Sequence, residues 1–320
     1  MISVKNLKKT YRSPIKGNNF VADLFNRQYK PVHALSDVSF TIEDTELIGF
    51  IGPNGAGKTT TLKILSGILY PTSGTVDIMG FKPFEKKPAY LRQISFVMGQ
   101  RNQLLWDLPA SDTFKLNKEI YHITDHTFKH MISTLSDLLN CVDLIEKPVK
   151  TLSLGERMKM ELIAGLLHQP KIIFFDEPTI GLDIFSQEAV RDFIKSYQSE
   201  FKSTIMLTSH YLEDVKRLAS RLIIIDHGHI LYDGSLATIL EKYSRFKKVT
   251  VVLDKPVNET EAKGIAIPAV YSPMRISYNI SRLDLPETMK KISKTLPISD
   301  MTVEDESIED IIKTFFKEKS

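Results

Sequence analysis

The sequence has little cysteine, little net charge and no long apolar run. Its single cysteine, Cys141, cannot form a disulfide within the chain, which is typical of proteins in a reducing compartment. The formal net charge of +3 is too small to indicate binding to nucleic acid or to an anionic membrane, and we expect no nucleic-acid partner. No apolar run approaches the about 18 residues that span a bilayer. The polar first residues lack the apolar core of a signal peptide, so we expect any membrane role to depend on a partner chain.

The composition is that of a globular protein, with 42% hydrophobic and 25% charged residues among 320. Short, uniformly apolar runs at residues 172–175 and 205–208 predict strands that are buried on both faces of a parallel sheet and joined by helical crossovers. After about residue 240 the pattern changes to separate strands and amphipathic helices. We therefore predict an α/β domain over residues 1–240 and a small α+β accessory domain over residues 241–320.

An insertion at residues 12–31 separates two segments, 1–7 and 38–42, that alternate like strands. Four apolar residues in it have helical spacing: Phe20, Val21, Leu24 and Phe25. Because basic residues accompany these apolar ones, the insertion could lie on the surface of a permease or of the bilayer. The alternative is a mobile surface loop.

Residues 52–59, which we call the phosphate loop, read GPNGAGKT and fit the pattern G-x-x-x-x-G-K-[ST]. The loop follows a predicted strand and opens a predicted helix, as the pattern requires; the alternative is an ordinary glycine-rich turn. Glycines let backbone N–H groups wrap phosphates, the lysine reaches the β- and γ-phosphates, and the threonine hydroxyl can bind Mg²⁺. The predicted ATP-binding residues here are Gly52, Pro53, Asn54, Gly55, Ala56, Gly57, Lys58, Thr59 and Thr60.

Two acids end the apolar run at residues 172–175. Asp176 would stand at the carboxyl end of a buried strand, where open α/β sheets bind ligands, and would hold Mg²⁺. Glu177 points differently and could polarise an attacking water. The alternative is a strand that simply stops at two solvated acids.

Together with several short motifs, these residues resemble the ATP-binding subunit of ABC transporters over about residues 1–240. The motifs occur in the family's order: Tyr11, Gln100 in the Q-loop, LSLGE at 152–156 beside the family's LSGGQ, TIGLD at 179–183 beside its D-loop, and His210 after a buried strand. The resemblance implies a P-loop NTPase fold of the ABC ATPase type, with a RecA-like core, an antiparallel β subdomain and a helical subdomain.

The resemblance also implies a role for each residue. Tyr11 would stack on adenine, and Gln100 would contact Mg²⁺ or the attacking water. His210 would bond the γ-phosphate and orient Glu177, while Asp183 would cross to a partner subunit. The predicted catalytic residues are then Glu177, His210 and Gln100, and the predicted Mg²⁺ ligands are Thr59, Gln100 and Asp176.

Residues 153–156, which we call the signature segment, begin a predicted helix. Ser153 and Glu156 have the spacing of a capping box, while Leu154 replaces a family glycine and Gly155 permits close backbone approach. By resemblance, this helix N-terminus contacts the ATP held by a partner's phosphate loop. The alternative is a helix cap without that role.

By resemblance, we expect a homodimer or heterodimer of ATPase subunits on separate integral membrane permeases, at the cytoplasmic face of the cell membrane. Leu104, Leu105 and Trp106 are either an anchor for permease helices or part of the helical subdomain's packing. The pattern is most similar to the drug, sodium and polysaccharide exporter branch. An importer ATPase and a soluble ABC-type ATPase remain the alternatives.

Overall fold

The computed structural model describes residues 1–14, 29–209, 211–244, 246–306 and 308–319. The chain divides into two compact units, Met1–Ser235 and Leu236–Ser320. The boundary predicted at residue 240 therefore falls inside a helix, Leu236–Tyr243, whose contacts group it with the second unit. Two predicted features, the helical spacing over residues 20–25 and the role of His210, lie outside the described residues.

The first unit is an α/β structure, as expected. Its strands in the described ranges are β1 Ile2–Pro14, β2 Tyr29–Ile42, β3 Leu47–Ile51, β4 Ser73–Ile78, β5 Ile94–Met98, β6 Ile172–Asp176, β7 Thr204–Thr208, β8 Arg221–Asp226 and β9 His229–Ser235. Its helices there are α1 Lys58–Leu65, α2 Pro88–Leu91, α3 Ala110–Tyr121, α4 Asp125–Leu138, α5 Leu154–Leu166, α6 Ile184–Phe201 and α7 Leu212–Leu218.

These strands form one sheet in the order β4-β1-β2-β9-β8-β3-β7-β6-β5. The five strands from β8 to β5 in this order run parallel, whereas β4, β1 and β2 pair antiparallel. Every residue of β6 and β7 is buried, which confirms the prediction of strands covered on both faces. In the parallel register Met98, Asp176 and Thr208 lie side by side, so β5, β6 and β7 end at one edge of the sheet.

The antiparallel part differs from the prediction. Strands β1 and β2 continue to Pro14 and Tyr29, and Arg12 pairs with Pro31 inside the segment predicted as an insertion. Residues at these strand ends are exposed. Because both faces meet solvent, no alternation of apolar and polar residues marks this part of the hairpin in the sequence.

The second unit contains a four-stranded antiparallel sheet in the order β11-β12-β10-β13. Its strands are β10 Phe246–Leu253, β11 Pro268–Ser272, β12 Arg275–Ser281 and β13 Ile298–Asp305, and its helices are α8 Leu236–Tyr243, α9 Glu259–Lys263, α10 Leu285–Thr295 and α11 Ile308–Lys319. From β10 to β13 the order of elements is β-α-β-β-α-β, the ferredoxin-like topology. The short elements β11 and α9 were not predicted, since they expose most of their residues.

The register of β10 gives a stability prediction. Val251 is 0% exposed and Val252 is 37% exposed, because successive side chains face opposite sides of the sheet. We expect Val251→Ala to cost about 2 kcal/mol through lost burial and a cavity. We expect Val252→Ala to change stability by less than about 0.5 kcal/mol. Native-state hydrogen exchange of β10 and β12 amides measures both values, and the reverse ranking would contradict the register.

Candidate functional site

The phosphate loop connects β3 to α1 and wraps around its own lysine. Lys58 is 5% exposed, and its Nζ donates to Gly52 O at 2.6 Å and to Pro53 O at 3.1 Å. Gly57 has a φ of 114°, and a Cβ there would lie 2.8 Å from Ala34 O on β2, so only glycine fits. Burial lowers the pKa of Lys58, and the negative charges of Glu177 and Asp176 oppose that shift.

Asp176 joins the phosphate loop to the sheet edge. Its carboxylate is 9% exposed, and Oδ1 accepts a hydrogen bond from Thr59 Oγ1 at 3.1 Å and another from Thr208 Oγ1 at 2.8 Å. Strand β6 thus places an acid against a hydroxyl from the first turn of α1. A carboxylate next to a hydroxyl is the hard oxygen donor set that Mg²⁺ prefers, so these residues fit the predicted ion.

Glu177 adopts a left-handed backbone conformation, with a φ of 57°. Its N–H donates to Thr208 O at 3.1 Å and lies 3.2 Å from Thr208 Oγ1. On the other side, a Cβ on Gly99 would lie only 2.0 Å from Glu177 O, so the end of β5 approaches the turn backbone to backbone. Few residues other than glycine adopt this conformation, and contacts on both sides of the turn hold Glu177 in it.

A cavity of about 220 Å³ lies at this edge of the sheet. Its lining consists of Thr59, Lys63, Met98, Gln100, Arg101, Asp176 and Glu177. The structure therefore brings four predicted site residues together from α1, the segment after β5 and the end of β6. Among the described residues that line the cavity, none belongs to the signature segment or to residues 179–183.

The signature segment forms the first turn of α5, and the capping box is confirmed. Ser153 Oγ accepts from Glu156 N at 3.3 Å, while Ser153 N donates to Glu156 Oε2 at 2.8 Å. This backbone donor lowers the pKa of Glu156. The acid that replaces the family glutamine therefore bonds to the start of its own helix.

Gly155 and Asp183 contact the same residue of helix α6. A Cβ on Gly155 would lie 2.2 Å from Ser186 Oγ, so the close approach that glycine permits here is to a helix of the same chain. Asp183 caps α6 by accepting from Ser186 N at 3.0 Å and Ser186 Oγ at 2.6 Å. The predicted contacts of both residues with a partner subunit stay predictions.

Tyr11 lies on β1 opposite Val32 and is 38% exposed. The Nζ of Lys9 lies 5.3 Å from the centroid of the Tyr11 ring. Strand β2 passes the phosphate loop near Leu35, whose Cδ2 would be 2.6 Å from a Cβ on Gly57. The exposed ring is thus on the hairpin that borders the loop, and its stacking on adenine stays a prediction.

Comparison with known proteins identifies the family of this chain. The family model described as ABC transporter matches residues 35–180. The ABC transporter ATP-binding protein NatA of Bacillus subtilis is 37% identical over 218 residues, which are 68% of this chain and 88% of that relative. The chain belongs to the ABC transporter family of ATP-binding proteins.

Other members of the family are similar over comparable lengths. The doxorubicin resistance ATP-binding protein DrrA of Mycobacterium tuberculosis is 35% identical over 63% of this chain and 60% of its own length. A solved dimeric structure of a bacterial ABC transporter cassette is 23% identical, covers 74% of this chain and 99% of its own, and has a TM-score of 0.61. That likeness confirms the ABC ATPase fold. Within the described residues, no helix is both long enough and apolar enough to cross a bilayer.

The predicted permease anchor of this ABC ATPase divides between core and surface. Leu104 is buried in the core that the helices share, whereas Leu105 and Trp106 are 41% and 47% exposed. The Arg157 guanidinium lies 5.4 Å from the centroid of the Trp106 ring. Leu104 thus packs inside the protein, whereas Leu105 and Trp106 have the exposure that an anchor for permease helices needs. The contact with a permease stays a prediction.

Asp214 was missed by the sequence reasoning. It is 0% exposed, and its carboxylate accepts from Arg191 Nε at 2.6 Å, from Ser209 Oγ at 2.6 Å and from Thr179 Oγ1. It therefore fixes the start of the D-loop and the end of β7 against helix α6. An acid in the first turn of a short helix is ordinarily solvated, so only the fold shows that this one is buried.

Glu161 on α5 was also missed. It is 3% exposed, its Oε1 accepts from Gln103 N at 2.9 Å and from Leu104 N at 3.4 Å, and its Oε2 bonds to no described residue. Burial raises the pKa of Glu161 to about 7, with the two N–H donors and Arg157 opposing the shift. A single acid in an amphipathic helix gives no sequence signal of this environment.

We predict that Asp214→Ala lowers the free energy of unfolding by about 3 kcal/mol or more, because Arg191 keeps a buried charge without its partner. Glu213→Ala removes a half-exposed acid next to it and should cost less than about 1 kcal/mol. Urea unfolding followed by the fluorescence of Trp106, the single tryptophan, measures both. Equal losses in the two variants would contradict the role of Asp214.

The Glu161 carboxyl predicts a pH dependence. Its pKa of about 7 exceeds the ordinary value of 4.5, so between these values the folded state binds more protons than the unfolded state. Stability should therefore fall as the pH rises from about 4.5 to 7 and level off above that range. Glu161→Gln lacks this loss and should be more stable than the parent chain above pH 7, by about 3 kcal/mol at most. Urea unfolding of the parent chain and of Glu161→Gln at pH 5 and pH 8 measures this effect. If the two chains differ in stability by the same amount at both pH values, the buried Glu161 carboxylate does not destabilise the fold.

Proposed function

We propose that this ABC ATPase binds and hydrolyses ATP and thereby drives export through separate membrane permease subunits. The observation that carries the proposal is the cavity at the carboxyl edge of β5 and β6, where Thr59, Gln100, Asp176 and Glu177 meet beside the phosphate loop. Ligands of open α/β sheets bind at this edge. The name of the Nod factor export ATP-binding protein I of Burkholderia pseudomallei, which is 29% identical over 67% of this chain, supports export, and the drug resistance named for DrrA agrees with it.

In this proposal the phosphate loop binds the ATP phosphates. The N–H groups at the start of α1 and the Lys58 ammonium supply positive charge where the phosphates lie. Lys58 would exchange its bonds to Gly52 O and Pro53 O for phosphate oxygens. Tyr11 would stack on the adenine from the neighbouring hairpin. Magnesium, held by Thr59, Gln100 and Asp176, would neutralise phosphate charge when bound.

Glu177 is the proposed general base for hydrolysis. Its backbone is fixed between Thr208 and Gly99, and Glu177 lines the cavity together with Gln100. A carboxylate in this position can accept a proton from a water that attacks the γ-phosphate. As the resemblance implies, Gln100 would contact Mg²⁺ or that water, and His210 would bond the γ-phosphate and orient Glu177.

The signature segment would complete the site of a second ATPase subunit. Its residues do not line the cavity of their own chain, and the N-terminus of α5 offers backbone donors and partial positive charge to an anion. In a dimer of two subunits facing each other in this way, each subunit would contribute its phosphate loop to one ATP site and its signature segment to the other. The exposed Leu105 and Trp106 would contact the permeases at the cytoplasmic face of the membrane.

An importer ATPase and a soluble ABC-type ATPase are the competing functions. Purification of the chain from membranes, with identification of its stable partners, separates the three. Export requires co-purifying permeases and ATP-dependent efflux in vesicles. A requirement for a secreted solute-binding protein would favour import, and recovery of the chain without membrane partners would favour the soluble ATPase.

We predict that Glu177→Gln lowers kcat for ATP hydrolysis at least about 100-fold, because the amide cannot accept the proton. ATP binding and ATP-dependent dimerisation should persist, since the phosphate loop is unchanged. Lys58→Ala should instead lose nucleotide binding. Steady-state ATPase assays, equilibrium nucleotide binding and size-exclusion chromatography measure these effects. Hydrolysis at the parent rate by Glu177→Gln would show that the assignment of the base is wrong.

A further inference from the structure

The segment that follows Gln100 is held by side chains rather than by regular backbone pairing. Residues 103–105 lie in no helix or strand, yet their three consecutive N–H groups all have side-chain acceptors. Gln103 N and Leu104 N donate to Glu161 Oε1, and Leu105 N donates to Thr113 Oγ1 at 3.1 Å. Helices α5 and α3 therefore hold these three N–H groups, and strand β5 adds a third attachment because Gln103 Nε2 donates to Phe96 O at 3.1 Å.

Glu161 belongs to the helix that begins with the signature segment. A buried carboxylate is costly unless it is hydrogen-bonded, and an apolar residue of similar volume is often as stable or more so. Only one of its two oxygens has a described partner, so packing alone does not account for an acid at this position. What the acid adds is the pair of bonds to Gln103 and Leu104.

A second contact joins the same two parts of the chain. Arg157, one helical turn before Glu161 on α5, places its guanidinium over the ring of Trp106. A guanidinium over an indole face is an attractive interaction. Helix α5 thus contacts the segment after Gln100 both through a buried acid and through a half-exposed cation.

We propose that Glu161 is a positioning residue that ties the Gln100 loop to the signature helix, so that the two move together. The inference rests on the proposed function, in which Gln100 serves the chain's own ATP and the signature segment serves the ATP of a second subunit. Glu161 then links the two ATP sites of a dimer. A displacement of Gln100 on binding or loss of the γ-phosphate is transmitted along α5 to residues 153–156.

Three variants of the full chain test the link. Glu161→Gln keeps an acceptor oxygen for both N–H groups, whereas Glu161→Leu fills a similar volume without one. Thr113→Val is the matched control, because it releases only the Leu105 N–H and leaves the bonds to α5 intact. For each variant, kcat and KM for ATP, the equilibrium Kd for ATP, the thermal midpoint and the exchange rates of the Gln103 and Leu104 amides are measured.

We expect Glu161→Leu to speed exchange of those two amides and to lower kcat about tenfold, with the Kd for ATP within about twofold of the parent value. Glu161→Gln and Thr113→Val should keep kcat within about twofold. This split between kcat and Kd distinguishes a link between sites from a general loss of structure.

Three results would overturn the link. Glu161→Leu could keep the parent kcat despite faster amide exchange, which would show that the hydrogen bonds of Glu161 to Gln103 and Leu104 have no role in turnover. Thr113→Val could lose as much activity as Glu161→Leu, which would show that turnover depends on fixing the loop and not on its attachment to α5. Glu161→Leu could lose ATP affinity and thermal stability together with kcat, as a structural residue would. In each case a parent chain that hydrolyses ATP and a Glu177→Gln variant that does not would leave the proposed function standing.

Discussion

The Asp176 carboxylate, held between two threonine hydroxyls, is the contact on which the site depends. Thr59 belongs to helix α1, at the end of the phosphate loop, and Thr208 belongs to strand β7. Because parallel strands end at one edge of a sheet, residues more than one hundred positions apart in the sequence meet in a single cavity. In the same register Gln100 follows the end of β5, and Glu177, in its left-handed conformation, follows the end of β6.

A second group of contacts connects this cavity to the signature segment. The Gly155 backbone approaches Ser186, whose hydroxyl and N–H are bonded by Asp183 at the end of the D-loop. Glu161 connects the same helix to the segment after Gln100. All of these are direct contacts between residues of one chain. Because these contacts connect α5, the D-loop and the Q-loop, we expect a displacement of one of these elements to move the others. The signature segment itself does not line the chain's own cavity.

Most of the site could be predicted from the sequence because its chemistry is confined to short, ordered motifs. The phosphate loop, Asp176 with Glu177 and the capping box at Ser153 each depend on neighbours a few residues away, so spacing alone predicts them. Asp214 and Glu161 could not be found in this way, because a buried acid and a solvated acid look alike in an amphipathic helix. The pairing of residues 10–14 with residues 29–33 was missed for a related reason, since strands exposed on both faces show no alternation.

In the proposed dimer, each ATP lies between the phosphate loop of one subunit and the signature segment of another. A structure of the membrane complex trapped with ATP and magnesium would test this arrangement. We expect the N-terminus of α5 from one ATPase subunit to contact the γ-phosphate held by Lys58 and Thr59 of its neighbour. A subunit that encloses ATP entirely with its own residues, with the signature segment remote from every nucleotide, would contradict it.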